Sequence, residues 1–295
     1  MNYKEILREA IDLHVHVGPE IIPRRFTIPE LVKYETGKLK GIGVKNHFFP
    51  TIAMNQPRVS SGLPIIINSV ALNNYVGGFN ADIIRASAEL SVTPIIVWFP
   101  TISSKSFLES QVTEIPKEWF DEKKLAKILL QKSKSITPLT ILDKNGKIRE
   151  DVKKVVETIK KYQAILATGH LSWQESRDLI KFAYKIGCRK FIITHPIYQK
   201  IAMPIEIQKE LVRKGALIEQ CYSMYSIDKV SIAEIAKQIK DVGAKSCILS
   251  SDVGQTFSPG PSEALTEFMK LLESEGITSE ELKKMLVVNP AKLIG

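Results

Sequence analysis

The 295 residues include 44% hydrophobic and 25% charged side chains, an ordinary composition for a globular protein with a sizeable core. The formal net charge is +9, but the lysines are spread over helical segments such as EDVKKVVETIKK, where acids accompany them. This pattern is typical of solvated helix faces and favours them over a phosphate-tracking stripe. We therefore expect a small-molecule substrate as partner and no nucleic acid, and association into a homo-oligomer is compatible with the sequence.

The sequence predicts neither a signal peptide nor a membrane span. The segment MNYKEILREA is charged and amphipathic, and no window approaches the roughly 18 apolar residues of a spanning helix. The cysteines, Cys188, Cys221 and Cys247, lie far apart in or beside apolar runs. They are expected to be buried free thiols in a reducing cytoplasm, without a membrane partner.

Short apolar runs alternate with helical segments along most of the chain. The eight runs are 10–17, 41–48, 64–72, 93–99, 164–170, 190–196, 216–222 and 247–252. The clearest helix candidates are 80–90, 150–161, 173–186, 204–214, 228–240 and 261–275. This alternation predicts right-handed crossovers and a parallel sheet, and eight units favour a closed (β/α)8 TIM barrel. We expect one barrel domain over residues 1–295, since no Gly-rich dinucleotide fingerprint follows any run.

The segment between the fourth and fifth runs, residues 100–163, is too long for a single crossover helix. It predicts a helix from about Lys117 to Lys132 and a hairpin, LTILDKNGKI, with a tight turn at Asn145-Gly146. An insertion after a barrel strand opens onto the carboxyl end, where active sites lie. It is therefore either a lid or substrate wall, or a decoration on the solvent side.

The first run, IDLHVHV, carries two histidines one residue apart inside an apolar strand. Alternation along a strand predicts that Asp12, His14 and His16 face the barrel interior. The opposite face, toward the helices, is predicted to hold Ile11, Leu13, Val15 and Val17. Asp12 lies deeper than His14, so it is a candidate partner for an imidazole N–H.

The remaining histidines also lie near the ends of predicted strands. Lys45 and His47 face inward in the second run, while His170, His195 and Asp252 end the fifth, sixth and eighth runs. Imidazole and carboxylate ligands suit zinc, manganese, nickel or iron. The pattern predicts a divalent metal site of one or two ions, with zinc as the expected metal.

The order of these residues along the strands resembles that of the amidohydrolase superfamily, metal-dependent hydrolases built on TIM barrels. The stretches ATGHLS, THP and SSDVGQ are similar to an uncharacterised branch of that superfamily, which implies no substrate. The resemblance implies water attack on an amide, lactone or ester bond, with Asp252 accepting and returning the proton. It also implies the metal ligands His14, His16, His170, His195 and Asp252. With a single ion, His170 or His195 would polarise the scissile oxygen instead.

The sequence departs from two-metal members at the fourth strand, where a carboxylated lysine or a glutamate bridges the ions. The residues Ile95 to Phe99 supply neither. Lys45 is then a carboxylated bridge, an ammonium that contacts an anionic substrate or oxyanion, or a structural ion pair. His47 is assigned to catalysis or substrate binding. Arg24 and Arg25 are candidates for clamping a substrate carboxylate, with at least one of them in solvated loop.

The PHP family of metal-dependent phosphoesterases also opens with H-x-H on a barrel strand, but two positions differ. Lys45 and Asn46 precede His47 where that family usually has an acid, and Gly254 replaces a usual histidine. Three function classes stay open. They are a metal-dependent hydrolase, a barrel using the same ligands for phosphoester cleavage, decarboxylation or isomerisation, and a metal-binding or sensory protein without turnover. The first is expected.

Overall fold

The computed structural model describes residues 2–54, 62–110 and 136–295. All eight predicted strands are confirmed in this part of the chain, and the third is divided into β3 and β4 at Asn68. The strands are β1 Ile11–His16, β2 Gly41–Lys45, β3 Ile65–Ile67, β4 Ser69–Ala71, β5 Ile96–Trp98, β6 Ile165–Ala167, β7 Phe191–Ile193, β8 Ala216–Cys221 and β9 Cys247–Ser250.

The strands are parallel and follow one another around a ring in chain order. Regular pairing connects neighbouring strands in two runs, one from β1 through β2 to β3 and the other from β4 through successive strands to β9. Where β3 gives way to β4, the Ser69 hydroxyl donates to the carbonyl of Val44 on β2 at 2.6 Å. At the junction between β1 and the residues after β9, the amide of His16 donates to the carbonyl of Val253, and the amide of Asp252 donates to the carbonyl of His14, both at 2.8 Å. These hydrogen bonds bring the carboxyl end of β1 against the residues that follow β9, as a (β/α)8 barrel requires.

Helices surround the strands, and the six clearest helix candidates are all present with small differences at their ends. The α-helices of the described residues are Tyr3–Glu9, Ile28–Glu35, Ala81–Leu90, Lys105–Glu109, Glu150–Lys161, Trp173–Ile186, Ile205–Val212, Tyr222–Ser226, Ile232–Val242, Pro261–Ser274, Ser279–Lys283 and Asn289–Ile294. Capping boxes begin several of them: the hydroxyls of Ser172 and Ser231 accept from the amides of Glu175 and Glu234. Such caps satisfy amides that the first turn leaves without partners.

Two apolar layers flank the strands, because successive side chains point to opposite faces. The outer layer packs against the helices and includes Val44, Val97, Leu166, Ile193 and Leu249. The inner layer fills the barrel and includes Ile67, Ile96, Trp98, Ile165, Ala167, Ile192, Ile248 and Leu293. The polar side chains at the carboxyl ends of the strands therefore lie above a packed apolar floor.

Strand β1 departs from the simple alternation that we predicted. Its register with β2 shifts between Asp12 and Val15, so Ile11 and Leu13 lie in the inner layer while Val15 lies in the outer one. The prediction that Ile11 and Leu13 face the helices is therefore wrong. Gly43 on β2 accommodates the irregularity, since a Cβ atom there would lie 2.4 Å from the Leu13 carbonyl oxygen.

The insertion after β5 is described at its two ends, and its hairpin is confirmed. Leu142 pairs with Ile148 in antiparallel fashion, and Gly146 takes a φ of +73° in the turn. The helix predicted at Lys117 to Lys132 lies outside the described residues.

The three cysteines are free and buried, as predicted. None of the described helices has the length and apolar character needed to cross a membrane.

Candidate metal centre

The five histidines form one continuous row across the carboxyl end of the barrel. Neighbouring ring centroids are 5.1 Å apart for His170 and His195, and 6.0 Å apart for His195 and His14. The row continues to His16 at 5.3 Å and from there to His47 at 4.7 Å. The prediction that strand ends bring all five histidines together is confirmed.

Asp252 lies against the two histidines of β1. Its Oδ1 is 3.0 Å from Nε2 of both His14 and His16. The hydrogen bond from its amide to the His14 carbonyl sets this approach, and the Ser223 hydroxyl donates to its Oδ2 at 2.6 Å. The three ligand atoms lie within 4.8 Å of one another, a separation that one divalent ion can span. His195 and Asp252 also take positive φ angles of 22° and 52°, a strain typical of functional sites.

Glu219 on β8 is a site residue that the sequence analysis missed. It is fully buried, and its two carboxylate oxygens lie 3.2 and 3.3 Å from Nδ1 of His14. An ionised carboxylate only accepts hydrogen bonds, so Nδ1 of His14 carries a proton that Glu219 accepts, and Nε2 is the nitrogen turned toward Asp252 and the metal centre. The available signal was a single acid in the apolar run ALIEQCY, on the same strand face as Leu217.

Asp12 has a different role from the predicted one. Its Oδ1 accepts from the amides of His14 and Ser251 at 3.2 and 3.1 Å, so it joins β1 to the segment after β9. Burial raises the pKa of Asp12 to about 7 despite these hydrogen bonds. The prediction that Asp12 contacts an imidazole N–H is wrong, and Glu219 makes that contact.

Lys45 is buried at the centre of the row. Its Nζ lies 2.9 Å from Nε2 of His14 and 4.4 Å from the centroid of the Trp98 ring. Burial lowers the pKa of Lys45, while Asp252 and Glu219 oppose that shift. The indole face and the two carboxylates both stabilise an ammonium. As predicted, β5 offers no acid here, and its Trp98 lies beneath Lys45.

Burial keeps most of the imidazoles neutral. It holds the pKa of His16, His47 and His170 well below the ordinary value and lowers the pKa of His195 to about 4. His14 is the exception, because Asp252 and Glu219 outweigh the effect of burial and raise its pKa.

The carboxylate of Asp252 shows the opposite balance. Burial raises its pKa, but His14 and His16 outweigh burial and hold the pKa well below the ordinary value. Divalent ions bind an ionised carboxylate and imidazoles without a proton on the ligating nitrogen, so metal binding at His14 competes with the proton that its raised pKa favours.

An aromatic wall lies at the His170 end of the row. The Phe107 ring is 5.0 Å from His170, and the Tyr198 ring is 5.6 Å from His170 and 5.3 Å from His195. Phe107 belongs to the insertion, so the described part of the insertion borders the site. Within the described residues, the buried Nδ1 atoms of His16, His170 and His195 have no hydrogen-bond partner.

The two predicted clamp arginines lie in different environments. Arg25 is exposed, donates to the Ser258 carbonyl and stacks 5.2 Å from the Phe26 ring. It is the solvated member of the pair, as expected for at least one of the two arginines. The Arg24 side chain is only 2% exposed and pairs with Glu20 at 2.6 Å.

Residues 9–219 match the model of a family of unknown function, DUF6282. The chain is a member of that family. The matched part contains all five histidines, Lys45 and Glu219, and it ends before Asp252. A search of curated proteins finds no match to this sequence.

Solved structures place this DUF6282 chain in a known fold. An amidohydrolase from Pseudomonas aeruginosa aligns with 99% of this chain and 98% of its own, at a TM-score of 0.52 and 8% identity. An N-acetyl-D-glucosamine-6-phosphate deacetylase from Mycobacterium smegmatis aligns with 97% of this chain and 76% of its own, at a TM-score of 0.50 and 14% identity. Similarity at such identities establishes the fold alone. The predicted resemblance to the amidohydrolase superfamily is thereby confirmed for the fold.

Proposed function

We propose that the protein, as one domain, is a metal-dependent hydrolase that cleaves an amide, lactone or ester bond of a small substrate. The observation that carries this proposal is the position of Asp252 Oδ1, 3.0 Å from Nε2 of both His14 and His16. This group lies at the carboxyl end of an amidohydrolase-like barrel, the end at which barrel enzymes hold their active sites.

The donor set fits a divalent ion, with zinc as the first choice and manganese, nickel or iron as alternatives. His14, His16 and Asp252 would hold it, and His170 and His195 would bind the same or a second ion. The buried Nδ1 atoms of His170 and His195 support this role, because orphaned polar atoms in a protein interior need an explanation. When bound, the ion lowers the pKa of water from about 15.7 to about 7 and so supplies hydroxide at neutral pH.

Asp252 is the proposed proton acceptor and the later donor to the leaving group. His14 and His16 hold its pKa well below the ordinary value, so the carboxylate is ionised and able to accept at neutral pH. The Ser223 hydroxyl, 2.6 Å from Oδ2, fixes its orientation. With a single ion, His195 would instead donate a hydrogen bond to the scissile oxygen.

Lys45 is proposed to act as an ammonium that contacts an anionic substrate or an oxyanion. Its distance of 4.4 Å from the Trp98 ring and its attraction to Asp252 and Glu219 favour the charged form. A carboxylated Lys45 that bridges two ions is the alternative.

The proposal is tested by elemental analysis of the purified protein together with a panel of amides, lactones and esters. We expect at least one equivalent of divalent metal, hydrolysis of a member of the panel and loss of that activity on chelation. The double variant His14→Ala, His16→Ala should fold, as judged by circular dichroism, but should not hold metal. Cys188→Ala, away from the site, is the control.

Full metal content in the double variant would rule out the assigned ligands. Cleavage of phosphoesters alone, or decarboxylation or isomerisation, would replace the hydrolase assignment by the second function class. Bound metal without any turnover would indicate a sensory or metal-binding protein.

A further inference from the structure

A second compact donor group lies beside the metal centre, on the side of β1 and β2. One ligand atom each of His16, Glu20 and His47 lies within 4.8 Å of the others. Distance alone would suit another metal ion. The hydrogen bonds of Glu20 and His47, however, use acceptor atoms of these two residues and leave nearby N–H donors free.

Both oxygens of the Glu20 carboxylate accept hydrogen bonds within the protein. Its Oε2 accepts from Nε and Nη2 of Arg24 at 2.7 and 2.6 Å, and its Oε1 accepts from the amide of His47. The Glu20 side chain is 0% exposed. Charge-assisted bonds of this kind are strong, so Glu20 has little capacity left to bind a cation.

A network of buried side chains fixes the tautomer of His47. Asn73 Oδ1 accepts from the amides of Thr101 and Ser103 at 2.9 and 3.1 Å, which sets the orientation of its amide. Its Nδ2 then donates to the Thr101 hydroxyl at 2.8 Å. Nδ1 of His47 lies 2.9 Å from the same hydroxyl oxygen, and we assign the hydroxyl hydrogen to it because the described residues offer that hydrogen no other acceptor. His47 therefore carries its proton on Nε2, where it is a donor.

Arg24 keeps one edge of its guanidinium free. Glu20 occupies the edge formed by Nε and Nη2, while Nη1 is buried without a hydrogen-bond partner within the described residues. The edge formed by Nη1 and Nη2 is the planar fork that matches a carboxylate. A buried donor without a partner is costly unless a ligand satisfies it.

We propose that Arg24 and His47 form an anion-binding subsite for a carboxylate of the substrate, next to the metal centre. Glu20 and the Nδ1 atom of His47 accept hydrogen bonds within the protein, and the donors Arg24 Nη1 and His47 Nε2–H are left. This inference rests on the proposed function and names its substrate class, a small carboxylic acid whose hydrolysed bond lies close to the carboxylate.

The test is anion binding measured by isothermal titration calorimetry, with metal content determined for every sample. The probes are acetate, inorganic phosphate and the neutral analogue acetamide. The double variant Glu20→Gln, Arg24→Met removes the pair without leaving a buried charge, and Arg24→Lys removes the fork but keeps the charge. Arg25→Met is the matched control.

We expect acetate to bind the wild type and acetamide not to bind. Loss of a charge-assisted hydrogen bond should weaken acetate binding about tenfold or more in both Arg24 variants, and Arg25→Met should leave it unchanged. Binding is measured without turnover, so a protein that lacks hydrolase activity still passes or fails this test independently.

Unchanged acetate affinity in the Arg24 variants at wild-type metal content would overturn the proposal, because the anion would then bind elsewhere. Tighter binding of phosphate than of acetate through Arg24 would overturn the carboxylate assignment. Loss of one of two bound metals in Glu20→Gln alone would show a cation site instead.

The tautomer of His47 can be tested separately. Nitrogen-15 NMR of histidine-labelled protein should show His47 with its proton on Nε2, and Thr101→Val should weaken that preference. A wild-type spectrum with the His47 proton on Nδ1 would contradict the donor role.

Discussion

Glu219 decides which nitrogen of His14 faces the metal centre. A metal ion binds the neutral form of the His14 ring. Without an acceptor at Nδ1, the single proton of that form could lie on Nε2 and prevent this nitrogen from binding the ion. We expect Glu219→Gln to fold and to bind zinc about 10- to 100-fold more weakly, since partners of this kind typically contribute that much. Competition with a chromophoric chelator measures the affinity.

The control for this variant is Glu267→Gln. The Glu267 carboxylate accepts a hydrogen bond from the Tyr222 hydroxyl at 2.8 Å. Equal zinc affinity in Glu219→Gln and wild type would show that Glu219 does not orient His14.

The metal content of Lys45 variants distinguishes an ammonium from a carboxylated lysine. If Lys45 is an ammonium, Lys45→Ala keeps its metal and binds anionic substrates more weakly, seen as a raised KM. Lys45→Met, which preserves most of the side-chain volume over Trp98, should behave in the same way. If Lys45 is carboxylated, Lys45→Ala should lose one metal and recover partly when a short carboxylate is added. We expect the first outcome.

Which side chains meet at the site could be predicted from the sequence, because the carboxyl ends of parallel strands converge. Which atoms they contact could not. His14 and Glu219 are 205 positions apart, and their contact depends on how β1 and β8 face each other across the barrel. Arg24 and Arg25 are adjacent in sequence, yet only the loop conformation determines which of them is buried.

At the scale of elements, the strands were predictable because short apolar runs with helical segments between them admit few arrangements. The irregularity in β1 was not predictable. We assumed that side chains alternate regularly from Asp12 to Val15, but the register with β2 shifts between these two residues. The space left by Gly43 on the neighbouring strand is the matching feature, and a glycine alone does not reveal what approaches it.

Gly43→Ala tests this fit. The new Cβ atom would lie 2.4 Å from the backbone oxygen of Leu13, so β1 must shift. We expect a loss of about 1–3 kcal/mol in the free energy of unfolding, the usual range for overpacking. Urea unfolding at constant m-value measures it.

Gly41→Ala on the same strand is the comparison, because its Cβ atom would lie 3.3 Å from a side-chain atom of Ile11. A side chain adjusts more easily than a backbone, so this change should cost less. Equal urea midpoints for the two variants would contradict the role assigned to Gly43.

At the scale of the whole molecule, the buried imidazoles make the metal-free protein sensitive to acid. His16, His47, His170 and His195 have lowered pKa values when folded, whereas an unfolded histidine titrates near 6.5. Below pH 6.5 the unfolded chain thus binds more protons, and stability falls as pH falls. Asp12, with a pKa of about 7, and His14 act oppositely, because raised pKa values remove stability as pH rises. Among the site residues they are two groups against four.

We therefore expect the urea midpoint of the metal-free protein to decrease steadily from pH 7 to pH 5. The zinc-loaded protein should lose less over the upper part of this range, since the ion holds its ligands unprotonated. A flat profile for the metal-free protein would show that these histidines titrate alike in the folded and unfolded states.

The floor of the site gives the protein an optical signal of its own. Trp98 is fully buried, its ring centroid lies 4.5 Å from the ring of His14, and the Lys45 amine lies above its face. Indole emission depends on nearby charge, so a cation entering the row of histidines should change the fluorescence of Trp98. A Trp98→Phe variant should lose this change. Site occupancy could thus be followed in solution without any added dye.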